Sequence, residues 1–175
     1  MARAMPDTVF IVPAGVQASL VADGVLPAQR MIGLDDSTCY CNSELRVTGI
    51  AAAHELLQPD PISGRYSFLG YVIEGNGFTF YHAGDCCIYE GLQTRLARWH
   101  LDLGLLPING RDAEKLAVNL IGNMTWQEAV DLAGALKPGL TIPLHFDMFA
   151  RNSENPQLFL DYMRVKYPEL KTKLA

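Results

Sequence analysis

Apolar and polar positions along the chain change between strand-like and helix-like patterns several times. The β-branched run at residues 8–12 predicts a strand that ends at Pro13, and residues 14–22 have the composition of a helix. Residues 46–53 begin like another strand and lead directly to His54. The first third of the chain is therefore expected to contain two strands with a helix between them.

The middle of the chain contains the clearest local pattern. Aromatic and β-branched runs on either side of Asn76-Gly77 predict a β-hairpin over residues 66–81, because this pair tolerates the positive φ angles of a type I′ turn. Residues 93–100 resemble a helix, and residues 103–108 resemble a buried strand that enters a polar loop at residues 109–112.

The last part of the chain predicts two helices and one strand. Residues 125–128 form a capping box before an apolar stripe that ends at residue 136, and residues 140–144 predict a short strand. Asn155-Pro156 then opens a final helix with an N-cap and a proline in its first turn. This alternation predicts an α/β fold with mixed strands, and 175 residues suit a single domain over residues 1–175.

Composition and charge narrow the class of protein further. The chain is 49% hydrophobic and 19% charged, which excludes a disordered chain. Its net charge is −5 and Lys and Arg form no cluster, so we expect small-molecule or protein partners, with no nucleic acid and no membrane surface.

The cellular compartment is predicted from apolar runs and cysteines. No apolar run approaches the ~18–20 residues of a membrane span, and the first residues lack the core of a signal peptide. The four cysteines form one C-x-C pattern and one adjacent pair, which is not a disulfide framework. We therefore expect a cytoplasmic protein.

Three residues with metal-ligating side chains follow strand-like runs: His54, Asp85 and His145. In layered α/β folds the loops at one end of a sheet converge, so these side chains could meet around one divalent ion such as Zn²⁺ or Mn²⁺. Their spacing matches no short zinc motif, and a histidine at a strand end is also commonly a hydrogen-bonded structural residue. From the residues alone, both interpretations remain open.

Five blocks of sequence resemble the metallo-β-lactamase superfamily, and within it the metal-dependent hydrolases around L-ascorbate-6-phosphate lactonase. The blocks occur in the family's order, and the resemblance extends from about residue 8 to the C-terminal helix. They are GYVIEGNG (70–77), YHAGD (81–85), LPINGRD (106–112), GNMT (122–125) and IPLHFDMF (142–149).

The resemblance implies a fold, a site and a reaction. The fold is an αββα sandwich of two similar halves, with a divalent-metal centre at the edge between the sheets. His54 and His145 match metal-binding histidines, and Asp85 matches the bridging, catalytic carboxylate. The implied reaction is hydrolysis of a lactone or ester of a small molecule by water that Zn²⁺ or Mn²⁺ activates.

One motif of that family is absent. The superfamily's leading His-x-His-x-Asp-His motif has no counterpart, since the histidines are His54, His82, His100 and His145. We therefore expect the chain to supply mainly the C-terminal part of an N-terminally incomplete domain, with at best half of a metal centre. The alternative function is a non-catalytic half-domain or subunit that another chain must complete.

Further candidate residues lie near these positions. Asn109 and Arg111 are expected to contact the substrate's anionic end, although a loop salt bridge is an equal alternative for Arg111. His82 is expected to lie against the metal ligands or the substrate, or simply to bond to backbone, and Asp147 is expected to orient His145. Cys86 and Cys87 are expected to be buried thiols, with a soft metal ligand as the alternative for Cys87.

The expected architecture also predicts association. A chain that supplies mainly one half of a sandwich leaves strands at residues 78–81 and 140–144 without full cover, and uncovered apolar surface normally marks an interface. We expect a homo-oligomer, or association with a chain that carries the N-terminal half.

Overall fold

The structure is a computed structural model that describes residues 5–174. The ends of the expected domain, residues 1–4 and 175, lie outside the described part. Within residues 5–174 the chain forms eight strands and five α-helices. The strands are β1 (Phe10–Pro13), β2 (Met31–Leu34), β3 (Cys39–Cys41), β4 (Leu45–Ala51), β5 (Leu69–Gly75), β6 (Phe78–His82), β7 (Leu103–Pro107) and β8 (Leu140–Leu144). The helices are α1 (Gln17–Ala22), α2 (Leu92–Leu96), α3 (Ala113–Ala117), α4 (Trp126–Leu136) and α5 (Pro156–Lys166).

Six strands form one mixed sheet in the order β3-β4-β5-β6-β7-β8. Neighbours from β3 to β6 are antiparallel, whereas β6, β7 and β8 run parallel. The remaining strands, β1 and β2, form a separate parallel pair. The expected α/β class with mixed strands is confirmed.

The hairpin between β5 and β6 has the expected turn. Asn76 and Gly77 have φ angles of 51° and 73°, and Gly75 pairs with Phe78 across the turn. Positive φ at both central positions defines a type I′ turn, whose twist matches that of the two strands.

The two long helices begin as their sequence signals indicate. The hydroxyl of Thr125 accepts from the N–H of Glu128, whose carboxylate accepts from the N–H of Thr125, and this capping box starts α4. The side chain of Asn155 caps α5, which has proline in its first turn. Each cap satisfies backbone donors that the first turn of a helix leaves free.

Some expected elements differ in the structure. The helix expected at residues 93–100 is only α2, and the chain turns at Trp99, whose N–H donates to the carbonyl of Leu96. His100 is therefore outside the helix. The short elements β2, β3 and α3 were not predicted, since three to five residues contain too little periodicity to reveal them.

The two faces of the large sheet are covered differently. On one face, α2, α4 and α5 pack over a core that includes Val72, Tyr81 and Leu106. On the other face, the β1–β2 pair covers β4 and β5 through a small cluster around Val47 and Leu69. The described helices are all too short or too polar to cross a membrane.

The second face of β6–β8 belongs to neither core cluster. Side chains alternate along a strand, so Phe80, Leu105 and Ile142 point away from the face that Tyr81 and Leu106 bury against the helices. These three apolar side chains are only partly buried. We call this surface the open face.

Candidate metal centre

The candidate ligands follow strands that end at the same edge of the sheet. Pairing of Ala51 with Leu69 and of Tyr71 with His82 makes β4 run in the same direction as β6, and β7 and β8 are parallel to β6. His54, Asp85 and His145 follow β4, β6 and β8 respectively. Loops that leave parallel strands at one edge are where ligands commonly bind in such sheets.

Asp85 and His145 are in direct contact. The Nε2 atom of His145 lies 3.2 Å from Oδ1 of Asp85, and the two side chains are 22% and 43% exposed. Two donor atoms that each bind one tetrahedral Zn²⁺ at about 2.0–2.1 Å lie about 3.3 Å apart. The pair therefore fits two coordination positions of a divalent ion. Because both side chains are partly exposed, solvent can reach this position.

The backbone at this contact is unusual. His145 adopts φ 60°, a left-handed conformation that residues other than glycine rarely have. Such conformations persist where the surrounding structure imposes them, and they cluster at functional sites. The turn after β8 thus holds the imidazole toward Asp85.

His82 lies beside this pair. Its Nδ1 accepts a hydrogen bond from the N–H of Gly84 at 3.0 Å, and it lines a cavity of about 460 Å³ together with His145 and Asp147. Burial, and then the neighbouring His145, lower the pKa of His82, and the charge of Asp85 only partly opposes them. His82 therefore has the expected backbone hydrogen bond and also lies next to the candidate ligand His145.

His54 is not grouped with Asp85 and His145. Its ring packs on Phe68 with centroids 4.6 Å apart, and it lines a different cavity of about 280 Å³. Residues 5–174 contain no group of three or more His, Cys, Asp or Glu side chains arranged to hold a metal ion. The expected shared cleft thus contains Asp85 and His145 without His54, because bridges from Ala53 to Cys87 and from His54 to Leu56 fix the chain after β4.

The buried Nδ1 of His54 has no hydrogen-bond partner in the structure. An unpaired buried polar atom costs about 1–3 kcal/mol, so such atoms usually have a partner. The imidazole of His54 therefore lacks a partner for one of its two nitrogen atoms within residues 5–174.

Asn109 is completely buried. Its side-chain oxygen accepts from Nδ2 of Asn123 at 2.9 Å, and its Nδ2 donates to Asn152 at 2.8 Å. Nδ2 of Asn123 also lies 3.4 Å from Oδ1 of Asp85. Asn109 thus belongs to a buried amide chain that reaches Asp85, and its contact with a substrate stays a prediction.

Asn123 is a residue of this site that the sequence analysis missed. It is 2% exposed, and its Oδ1 is buried without a hydrogen-bond partner. The available signal was its place in the block at residues 122–125, which resembles the superfamily.

Arg111 forms the loop salt bridge. Its two terminal nitrogens lie 2.8 Å and 2.7 Å from the carboxylate oxygens of Glu128, and Nη1 also donates to the carbonyl of Asn123 at 3.0 Å. Burial would raise the pKa of Glu128, but hydrogen bonds from Arg111 and Thr125 outweigh it and lower this pKa. The structure thus shows the loop salt bridge, with Glu128 on both arms of the guanidinium, and the contact of Arg111 with a substrate anion stays a prediction.

Three other candidates have clear positions. Asp147 is exposed, and no hydrogen bond within residues 5–174 joins it to His145, whose Nε2 faces Asp85 instead. Cys86 and Cys87 are buried thiols, and their sulfur atoms contact the carbonyls of Cys87 and Gly122. Burial raises the pKa of Cys86 to about 12, which keeps this thiol protonated.

Solved structures that superpose on this chain identify the class of fold. The metallo hydrolase Igni18 from Ignicoccus hospitalis superposes with a TM-score of 0.75 at 18% identity, over 99% of this chain and 67% of that chain. Isothiocyanate hydrolase from Delia radicum gut bacteria gives a TM-score of 0.72 at 15% identity, over 97% and 64% respectively. The metallo-β-lactamase fold protein YhfI from Bacillus subtilis gives 0.64 at 13% identity, over 91% and 59%. The fold is that of the metallo-β-lactamases.

Sequence comparison identifies the family. The family described as beta-lactamase superfamily domain matches residues 1–146, so the chain belongs to this superfamily. A UPF0173 metal-dependent hydrolase of Lawsonia intracellularis is 33% identical over 103 residues, which are 58% of this chain and 40% of that protein. Another, of Nitratidesulfovibrio vulgaris, is 27% identical over 161 residues, or 91% and 57% of the two chains. The chain thus matches about half the length of these relatives.

Proposed function

We propose that this chain carries part of the active site of a metal-dependent hydrolase, and that the site acts on a lactone or ester of a small molecule. The contact of His145 Nε2 with Asp85 Oδ1, at 3.2 Å, is the observation that supports this most directly. It places two ligands of the types that bind Zn²⁺ or Mn²⁺ at the spacing of neighbouring coordination positions. The names of the relatives favour hydrolysis over a non-catalytic half-domain.

Asp85 and His145 would hold the ion. His54 would become a third ligand through movement of the chain after β4, because it now lines a separate cavity. A bound divalent ion would lower the pKa of water toward ~7 and polarise a carbonyl group. His54 supports this role through its unpaired buried Nδ1, which marks it as a side chain that still lacks a partner.

The surrounding residues would hold the ligands in place. Asn123 contacts Asp85 and is itself fixed by Asn109, so the amide chain limits rotation of the carboxylate. Burial lowers the pKa of His82, which borders the cavity in which His145 lies. A substrate carbonyl would enter through this cavity of about 460 Å³.

The chain by itself would be a poor catalyst. Residues 5–174 contain no group of three ligands, and the His-x-His-x-Asp-His motif is absent from the sequence. A second chain that carries this motif would complete the site.

Hydrolysis assays test the proposal, first with the chain alone and then with an added segment that carries the absent histidine motif. A γ-lactone and an aryl ester are incubated with Mn²⁺ or Zn²⁺ and the purified chain. We expect slow, metal-dependent turnover that His145→Ala and Asp85→Asn reduce and the distant, exposed His100→Ala does not. Adding the separately produced N-terminal part of the Lawsonia relative should accelerate turnover by more than the ~10–100-fold linked to residues that merely orient ligands.

One result would contradict the function itself, and another would contradict only the expected incompleteness of the site. Turnover that is insensitive to metal and to both ligand substitutions would exclude hydrolysis at this centre. Fast turnover by the chain alone, abolished by His145→Ala, would show that its site is already complete.

A further inference from the structure

Strand β3 presents two cysteines on one face of the edge of the large sheet. Side chains alternate along a strand, so Cys39 and Cys41 lie on the same side, while Tyr40 between them packs in the small core cluster. Both cysteines are free and exposed, in contrast to the buried pair Cys86 and Cys87.

The distance between the two sulfur atoms is 3.8 Å. A disulfide requires about 2.05 Å, so the two thiols are separate. Two thiolates that bind one tetrahedral ion, each with a metal–sulfur distance of ~2.3 Å, are ~3.8 Å apart. The observed spacing is therefore that of two sulfur ligands on one soft cation.

The sheet holds this pair in position. Cys39 pairs with Thr48 and Cys41 pairs with Arg46 in the antiparallel register of β3 and β4. Because both cysteines belong to a hydrogen-bonded strand, little backbone reorganisation is needed to bring the sulfur atoms together, and the entropic cost of binding falls accordingly.

A positive charge lies next to the sulfurs. Nη1 of Arg46 is 3.9 Å from the Sγ of Cys39, and Glu74 pairs with Arg46 on the next strand. Desolvation and the hydrogen bond with Cys39 raise the pKa of the Cys41 thiol, and the charge of Arg46 opposes this only in part. Once a metal displaces the thiol protons, the guanidinium attracts the negatively charged sulfurs.

We propose that Cys39 and Cys41 form a bidentate site for a soft, thiophilic divalent cation of the Zn²⁺ and Cd²⁺ class. Binding forms two metal–sulfur bonds and releases the two thiol protons to solvent, with no change of oxidation state. Water completes the coordination of the ion. The site is separate from Asp85 and His145, whose oxygen and nitrogen atoms suit harder ions such as Mn²⁺.

Titration with Cd²⁺ tests this site without any activity assay. The full chain, reduced with a phosphine that does not bind the ion through sulfur, is followed by the ultraviolet charge-transfer absorption of cadmium–thiolate bonds. We expect saturation at one ion per chain. Cys39→Ser or Cys41→Ser should weaken binding by about 100-fold or more, because the second sulfur then no longer acts as an intramolecular ligand.

Matched variants make the result specific. Cys87→Ser removes a thiol and should leave the titration unchanged, as should Asp85→Asn at the other site, and circular dichroism verifies that each variant is folded. Absorption that persists in the Cys39→Ser/Cys41→Ser double variant would overturn the proposal. Saturation at one ion per two chains would also overturn it, since the ion would then bridge copies.

Discussion

Glu128 stabilises two parts of the molecule with one carboxylate. One oxygen accepts from the N–H of Thr125 at the start of α4, and both oxygens accept from Arg111. The side chains of Arg111 and Glu128 are 41% and 26% exposed, so solvent screening reduces the strength of the ion pair.

Replacement of Glu128 by glutamine should lower the free energy of unfolding by about 1 kcal/mol near neutral pH. Because the folded-state pKa of Glu128 is below its usual 4.5, this contribution is present above pH 4.5 and is lost as the pH falls through the lowered value. Urea unfolding of both proteins across this range measures the effect. A difference that stays constant down to strongly acidic pH would contradict the ion-pair explanation.

His82 should also make the free energy of unfolding rise with pH, as Glu128 does. Its folded-state pKa is below the usual 6.5, mainly because of burial, so the unfolded chain binds more protons once the pH falls below 6.5. Stability should therefore decline between pH 6.5 and the lowered value. His82→Asn, whose amide oxygen can still accept from Gly84, should flatten this decline in urea unfolding, and an unchanged slope would show that another group is responsible.

The sequence predicted the types of residue at the site better than their contacts. Asp85 and His145 meet at the strand ends as expected, because their positions follow from strand direction. The burial of Asn109, the pairing of Arg111 with Glu128 and the contact of Asn123 with Asp85 depend on loops that approach each other only in the folded chain. No local pattern contains that information.

Elements with local signals were predicted, and those without them were not. The turn at Asn76-Gly77 and the capping box at Thr125 are encoded within four residues, so they are visible in the sequence. Strand β3 is three residues long and exists through its pairing with β4. Its stability comes from a partner, which explains why its own sequence did not reveal it.

The loop that carries Asn123 is packed tightly against the loop after β7. A Cβ atom on Gly122 would lie 1.8 Å from the carbonyl oxygen of Gly110, and the N–H of Asn123 donates to that same oxygen. A side chain at residue 122 therefore requires backbone movement on one of the two loops.

Gly122→Ala should destabilise the protein by about 1–3 kcal/mol and displace Asn123 from Asp85. Urea unfolding measures the first effect. The second should appear as a changed chemical shift of the Asn123 side-chain amide in a nuclear magnetic resonance spectrum. An unchanged unfolding midpoint together with an unchanged amide shift would show that the loops can separate at no cost.

At the scale of the whole molecule, the open face of β6–β8 is the surface that bears on association with another chain. The β1–β2 pair covers only β4 and β5, and the partly buried Phe80, Leu105 and Ile142 lie beyond it. Apolar side chains that lack full cover normally mark an interface. We therefore expect a partner to pack on this face.

We expect the purified chain to self-associate, or to bind a chain that carries the missing motif, through this face. Ile142→Lys places a charge on this face and should shift sedimentation at micromolar concentration toward the monomer. The matched substitution Val165→Lys, on an exposed position of α5, should have no effect. A wild-type chain that sediments as a cooperatively unfolding monomer would contradict the prediction.

The fold of the whole molecule was predicted from five sequence blocks, because their order matches that of a known superfamily. The structural relatives confirm this fold. The position of the open face also follows from that fold. What covers this face depends on contacts between chains, so neither periodicity nor strand order could identify the partner.

The central claim is that Asp85 and His145 hold a divalent ion, and Mn²⁺ binding tests it most directly. Mn²⁺ prefers oxygen and nitrogen ligands, so it distinguishes this pair from the thiols of β3. Electron paramagnetic resonance measures free Mn²⁺ during titration of the purified chain. We predict one weak site per chain that His145→Ala and Asp85→Asn each abolish and His100→Ala leaves intact; equal binding by all four proteins would contradict the claim.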